Sequence, residues 1–332
     1  MDAFSAIPST TLKEVGFATV DYSAVSEYIQ SHYTLPSYFG EDIVRNEKIY
    51  DGRRGVFLEH VGAIEPSSLE TCGFDLCYSP TKLKDFSNMK QVRSQYLKEL
   101  RCLIPKALAM DPDLIKDIVF WHPMLRGEEL SMQPRSADSS SSAPVASMVH
   151  MDTDVGAYGV DGLLDLVEKN RVDDYPSTFD RQTIETALSE GNRFLLLNLW
   201  RPLKPVTSAP LGIMVADYGP SSCTSGSYFP LAYPRQDSSR WYIHSDMKPE
   251  ECLIFKQYDR RKDKVSDLWH CALNISSYNS RSTNLRRSFD IKAMVILKEK
   301  VPTDMDRLGA SVKPVLSLEQ SGDFCESQCK RR

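Results

Sequence analysis

Two histidines and one aspartate carry the chemistry most readily read from this chain. They are His150 and Asp152, separated by Met151, and His270 far downstream. Two imidazoles and a carboxylate can cap one face of an octahedral iron and leave the other face open. Arg286 and Ser288 follow His270. A guanidinium presents a planar fork that matches a carboxylate bidentately, and a hydroxyl adds another donor. That pair suits the distal carboxylate of a 2-oxo diacid that chelates the same metal. The five residues together point to a mononuclear non-haem Fe(II) site supplied with 2-oxoglutarate and O2.

A His-x-Asp pair alone is more often structural than metal-binding, so its surroundings matter. On a strand, side chains alternate between faces. His150 and Asp152 would then share one face, with Val149 and Met151 turned into packing. The third ligand must come from elsewhere in the fold. His270, in the apolar segment DLWHCALN, is the better candidate; His244, in WYIHSD, competes but has no Arg-x-Ser pattern behind it. His122 and His244 read as packed, hydrogen-bonded histidines. Asn198 ends a very apolar run, so a buried amide there needs partners. Arg201 could pair with a carboxylate in the pocket, and Asp217 could orient a ligand or cap a turn.

Two other classes stay open at this point. A His/His/Asp set also suits zinc, as in a hydrolase. A catalytically silent binding protein could use the same scaffold.

The elements that must position these residues are partly legible. Residues 84–109 carry apolar side chains at helical spacing, and Pro105 should kink or end that helix. Residues 113–121 read as a helix-to-strand transition. Residues 132–147 contain four consecutive serines between Pro134 and Pro144. They read as a mobile loop at the mouth of the site. Helical patterns recur near 160–170 and 179–190, the second stopped by Gly191. Residues 194–200, 211–216, 251–258 and 288–297 are short apolar runs bounded by turn residues, as strands are. YDRRKDK at 258–264 reads as a solvated hairpin turn. Helices first and many short strands later suggest an α+β, jelly-roll-like core with flanking helices.

Bulk properties exclude several classes. Net charge is −5, with 41% apolar and 26% charged residues among 332. No basic stretch argues for nucleic acid. No run of about 18 apolar residues argues for a membrane span. The first residues lack the basic and apolar regions of a secretory signal, which implies a cytoplasmic protein. Eight cysteines are too sparse for a disulfide scaffold and read as reduced thiols.

Several segments together resemble a fungal hydroxylase/desaturase family, one that includes the gibberellin desaturase and proteins named after a cephalosporin methoxylation component. They are Gly73-Phe74 followed by KLKDFSNMKQV, VHMD at 149–152, NLWRPLKPV at 198–206 and PLGIMVAD at 210–217. DMKPEECLIFKQYD at 246–259, His270 and RRSFDIKAMVIL at 286–297 complete the likeness. It covers roughly residues 45–300. The resemblance implies an Fe(II)/2-oxoglutarate-dependent oxygenase on a double-stranded β-helix. His150, Asp152 and His270 would be the iron ligands and Arg286 the 2-oxoglutarate anchor. Ser288, Asn198 and Arg201 would line the cofactor pocket. The substrate would be a secondary-metabolite intermediate, hydroxylated, desaturated or cyclised, with succinate and carbon dioxide as co-products. His244, the absence of a proline before His270, Arg287 and the serine-rich stretch depart from the family pattern. These departures imply an unusual substrate pocket.

The resulting expectation is a single catalytic domain over 1–331. Residues 1–131 would pack on the core, 132–147 would be the loop, 148–300 the jelly-roll core and 301–332 a polar tail. The expected partner is a small molecule, with neither nucleic acid nor membrane. A homodimer is left open.

Overall fold

A computed structural model describes residues 12–21, 44–58, 62–127, 141–147, 149–153, 155–172, 180–216, 239–279 and 285–308. The strands in chain order begin with β1 (Glu14–Asp21), β2 (Val44–Asp51), β3 (Val56–Leu58), β4 (Ala63–Glu65) and β5 (Phe74–Tyr78). Next come β6 (Ile115–Gly127), β7 (Ser141–Ala143), β8 (Asn192–Pro202), β9 (Leu211–Ala216) and β10 (Ser239–Ile243). The last are β11 (Glu251–Asp259), β12 (Trp269–Ala272), β13 (Asn274–Ile275) and β14 (Arg287–Lys300). Most are built into two six-stranded sheets. One runs β12-β9-β10-β2-β1-β13 and the other β5-β11-β8-β14-β6-β7. Strands from the first 131 residues therefore belong to both sheets.

β8 shows why the second sheet is central. Its eleven residues are all buried, as a strand covered on both faces should be. Leu195, Leu197 and Leu199 pack with the helix Leu97–Ala107. Phe194 and Leu196 face the other way, against the helices Val155–Lys169 and Arg181–Ser189. Trp200, further along that same face, packs with residues of the first sheet, Met214 and Trp241 among them. Between Leu196 and Trp200 lies Asn198, the one polar residue on this face of the apolar run 194–200.

The expected helices and strands are present, with shifts at their ends. Pro105 sits in the last turn of its helix, which ends two residues later at Ala107. Proline has no N–H to donate back along the helix, in keeping with a helix that stops so soon after it. Gly191 takes φ 84° and lets the chain turn directly into β8.

Three expectations are corrected. The serine-rich stretch is not wholly irregular: Ser141–Ala143 forms an edge strand parallel to β6. Residues 132–140 and Asp217 lie outside the described residues. β10 (Ser239–Ile243) lies between the apolar runs 211–216 and 251–258, where no strand was expected. YDRRKDK is not wholly solvated, since Tyr258, Asp259 and Arg260 are buried. Asp259 accepts hydrogen bonds from Arg193 and Lys256, and Arg260 pairs with Asp306. Among the described residues, no helix is long and apolar enough to cross a membrane.

Candidate metal and co-substrate site

His150 and His270 are joined by backbone. His150 N–H donates to the His270 carbonyl (3.1 Å), and His270 N–H donates back (3.0 Å). The bridge fastens the 149–153 segment to β12, although only His150 in that segment is ladder-bonded. Val149 and Met151 turn into the core between the sheets, and the intervening side chains, His150 and Asp152, come together as the His-x-Asp spacing requires. One ligand atom from each of His150, Asp152 and His270 lies within 4.8 Å of the others, and all three residues are buried.

The aspartate is held from several sides. Its backbone N–H donates to Gln257 Oε1 at 2.7 Å, and Gln257 Nε2 donates to the Leu268 carbonyl at 2.8 Å. Gln257 on β11 thus ties the Asp152 segment to the lead-in of β12. The Asn198 amide donates to Asp152 Oδ2, and Lys292 Nζ is 3.1 Å from Oδ1. Burial pushes the carboxyl up. The Lys292 ammonium, and after it the neighbouring His270 and His150, outweigh it and hold the group well below the usual carboxylate range. His270 Nδ1 lies 3.4 Å from the Leu268 carbonyl. A proton on Nδ1 leaves the Nε2 lone pair for a metal. Phe255 packs against the imidazole, ring centroids 4.8 Å apart.

Arg286 lies immediately before β14. Its Nη1 donates to the Ala209 carbonyl (2.6 Å), Nε to Ser288 Oγ (3.4 Å), and its central carbon is 4.9 Å from the Trp200 ring centroid. Arg286 shares a cleft with the three candidate ligands, Asn198 and Trp200. Ser288 does not face the cleft directly; it reaches it through Arg286.

Arg201 is a correction. It was expected beside the pocket, but β8 side chains alternate, so Asn198 and Trp200 face the cleft and Arg201 faces away. It donates from Nε to Tyr96 Oη (2.9 Å), from Nη1 to the Pro249 carbonyl (2.6 Å) and from Nη2 to Ser79 Oγ (3.2 Å). His244 is likewise not among the residues that line the cleft. It packs edge-on against Phe74 and beside Gly52.

Four residues of the site were not singled out from sequence. Arg126 and Asp290 form an ion pair at 2.7 Å on the cleft wall. Gln257 and Lys292 contact Asp152. For Asp290 and Lys292 the signal is polar residues two apart in an apolar strand, Ser288, Asp290 and Lys292 on β14; Gln257 is a polar residue within the buried strand β11.

The donor set fits a divalent iron: two imidazole nitrogens, one carboxylate and a cleft beside them. Two further atoms favour a bound polar group there. Asn198 Oδ1 and Trp200 Nε1 are buried and have no hydrogen-bond partner among the described residues, and buried polar atoms rarely stay unpaired.

Comparison with known proteins agrees with this geometry. The alpha-ketoglutarate-dependent dioxygenase phiK, from a fungal species, is 24% identical over 74% of this chain and 86% of its own length. The dioxygenase of the same description, tstK, from Talaromyces stipitatus, is 25% identical over 64% of this chain and 73% of its own. The hydroxylase/desaturase efuI from Hormonema carpetanum is 26% identical, over 59% and 68%. Among solved structures, the iron and alpha-ketoglutarate-dependent endoperoxidase NvfI superposes with a TM-score of 0.52. It is 16% identical, over 86% of this chain and 95% of that one, a likeness of fold. A family model described as an oxidoreductase/YMDC permease-like domain matches residues 20–296. With most of its length matched, the chain belongs to that oxidoreductase family.

Proposed function

We propose that this protein is an Fe(II)/2-oxoglutarate-dependent oxygenase that oxidises a C–H bond of a secondary-metabolite intermediate. The observation that carries this reading is the convergence of His150, Asp152 and His270 in a cleft shared with Arg286. The named fungal relatives are of the same kind. We read the two facing sheets as a double-stranded β-helix within a single catalytic domain. Five described cysteines, all free thiols, accord with a cytosolic protein.

Iron and 2-oxoglutarate, when bound, supply the oxygen activation and the oxidative decarboxylation that yields succinate and carbon dioxide. The chain's own residues do the rest. His150 and His270 would offer Nε2 and Asp152 a carboxylate oxygen. Gln257 and Asn198 fix the aspartate, and the Leu268 carbonyl fixes the His270 tautomer. Arg286, braced by the Ala209 carbonyl and Ser288, would take the distal carboxylate of 2-oxoglutarate over the Trp200 ring. Burial of the three ligands excludes bulk water. The substrate would enter beside Ala146 and the Arg126–Asp290 pair, which line the same cleft.

The test is anaerobic titration of the protein with Fe(II) and 2-oxoglutarate. A weak visible absorption band is expected for a 2-oxo acid chelated to ferrous iron of this ligand type. Arg286→Met should weaken 2-oxoglutarate about 10- to 100-fold, from loss of charge-assisted hydrogen bonds. Absence of the band at saturating metal and co-substrate would overturn the assignment.

A further inference from the structure

Lys292 is a buried lysine inside the ligand shell, and the proposed chemistry gives it no task. β14 places it on the same face as Ser288 and Asp290, in register with Asn198 of β8. It is 6% exposed, and its Nζ lies 3.1 Å from Asp152 Oδ1. The other oxygen, Oδ2, accepts from the Asn198 amide and lies 3.3 Å from His270 Nε2. Both oxygens of the candidate metal ligand are therefore taken by protein donors.

We infer that Lys292 is a built-in competitor for the metal, holding Asp152 until a divalent cation displaces it. The inference rests on the metal-site reading above. A cation that takes both Nε2 atoms and one carboxylate oxygen comes to share that carboxylate with the donors already on Asp152. Asn198 is neutral and fixed within a fully buried strand. Lys292 carries the metal's own sign of charge at the end of a flexible four-carbon stem, so repulsion falls on it first. Asp290, two residues away on the same strand face and already paired with Arg126 at 2.7 Å, is a carboxylate that the displaced ammonium would share. Without metal, the ammonium neutralises a carboxylate that would otherwise be a buried, uncompensated charge. Lys292 thus steadies the metal-free protein and weakens metal binding at once.

The two effects separate this role from a merely structural one. A structural lysine, when removed, would leave metal affinity unchanged or lower it. A competitor, when removed, raises it. The experiment is titration with Co(II) alone, followed by d–d absorption and by calorimetry, on the wild type, Lys292→Met, Lys292→Gln and Lys292→Arg. Lys292→Met and Lys292→Gln should each bind Co(II) at least about tenfold more tightly. Their metal-free forms should melt lower, and saturating Co(II) should restore the wild-type melting temperature. Lys292→Arg keeps the charge and should return the affinity to within about threefold of wild type. Neutral variants that fold only when Co(II) is present would also support the inference. Unchanged or weaker affinity in folded neutral variants, or failure to fold even with Co(II), would overturn it. If the wild type itself binds no Co(II), the metal-site reading has failed instead.

Discussion

His150 and His270 exchange reciprocal backbone hydrogen bonds of 3.1 and 3.0 Å, and their rings lie 4.3 Å apart between centroids. The chain itself, rather than a metal, brings these two side chains together. Removing one imidazole should therefore abolish metal binding without unfolding the protein. For His150→Ala we expect 2-oxoglutarate-dependent succinate formation at background and a melting temperature within a few degrees of the metal-free wild type. A melt and a metal titration on the same sample check both halves.

Asp152 should behave differently, because it is the counter-ion of a buried lysine. Asp152→Ala leaves the Lys292 ammonium without the partner it has at 3.1 Å. Breaking a buried pair from one side costs about 3–5 kcal/mol. The double variant Asp152→Ala/Lys292→Met should recover much of that loss while remaining inactive. Urea unfolding of the four proteins in the cycle gives the coupling directly. Additive costs would show that the pair does not interact.

Gln257 bridges Asp152 N–H and the Leu268 carbonyl at 2.7 and 2.8 Å, and it is fully buried. Gln257→Leu leaves the buried Asp152 N–H unpaired and takes from the Leu268 carbonyl the shorter of its two contacts, which costs about 1–3 kcal/mol. It also frees two segments that carry ligands, so metal affinity should fall about 10- to 100-fold, as for other outer-shell partners. Unchanged affinity in a folded variant would restrict Gln257 to packing.

How much of this site could be read in the sequence follows from what each residue depends on. His150, Asp152, His270 and Arg286 are legible because side-chain chemistry and local spacing identify them. Asn198 was legible as a polar break in an apolar strand. Lys292 and Gln257 bore the same mark, but their partner Asp152 is over a hundred positions away in each case. Only strand pairing shows what they touch. β1, β2 and β10 lack continuous apolar runs, and the pairings of β1 with β13 and of β2 with β10 join segments far apart in the chain. Arg201 was misplaced because a motif names neighbours without assigning faces; the two-residue alternation from Asn198 to Trp200 already excluded it from the cleft.

Arg201 should accordingly matter for stability and not for the co-substrate. It is 1% exposed and donates to Tyr96 Oη, the Pro249 carbonyl and Ser79 Oγ. Arg201→Met should cost about 2–4 kcal/mol, since each charged hydrogen bond contributes about 1.5–3 kcal/mol and the lost desolvation penalty offsets part. The Kd for 2-oxoglutarate should stay within about twofold of wild type. A large rise in Kd with little change in stability would return Arg201 to the pocket.

His244 makes a pH dependence that can be tested apart from the metal site. It is 3% exposed, and its Nε2 is buried with no hydrogen-bond partner among the described residues. Burial, followed by the nearby Arg53 charge, lowers its pKa from 6.5 to about 4, against the opposing pull of Asp51 and Glu251. Above pH 6.5 the ring is neutral in both folded and unfolded chains, and its contribution to stability is complete. Between pH 6.5 and about 4 the unfolded chain binds a proton that the folded protein refuses, so stability falls with falling pH. The loss from this one group is on the order of 3 kcal/mol across that window. Below it, both states are protonated and the group adds nothing more. Carboxylates elsewhere add their own acid dependence, so the difference between proteins carries the information. His244→Phe keeps the ring contact with Phe74 and removes the titration. Its unfolding free energy should fall less steeply than wild type between pH 6.5 and 4, by up to about one proton. Parallel curves for the two proteins would mean that His244 takes up its proton in the folded state as readily as in the unfolded chain.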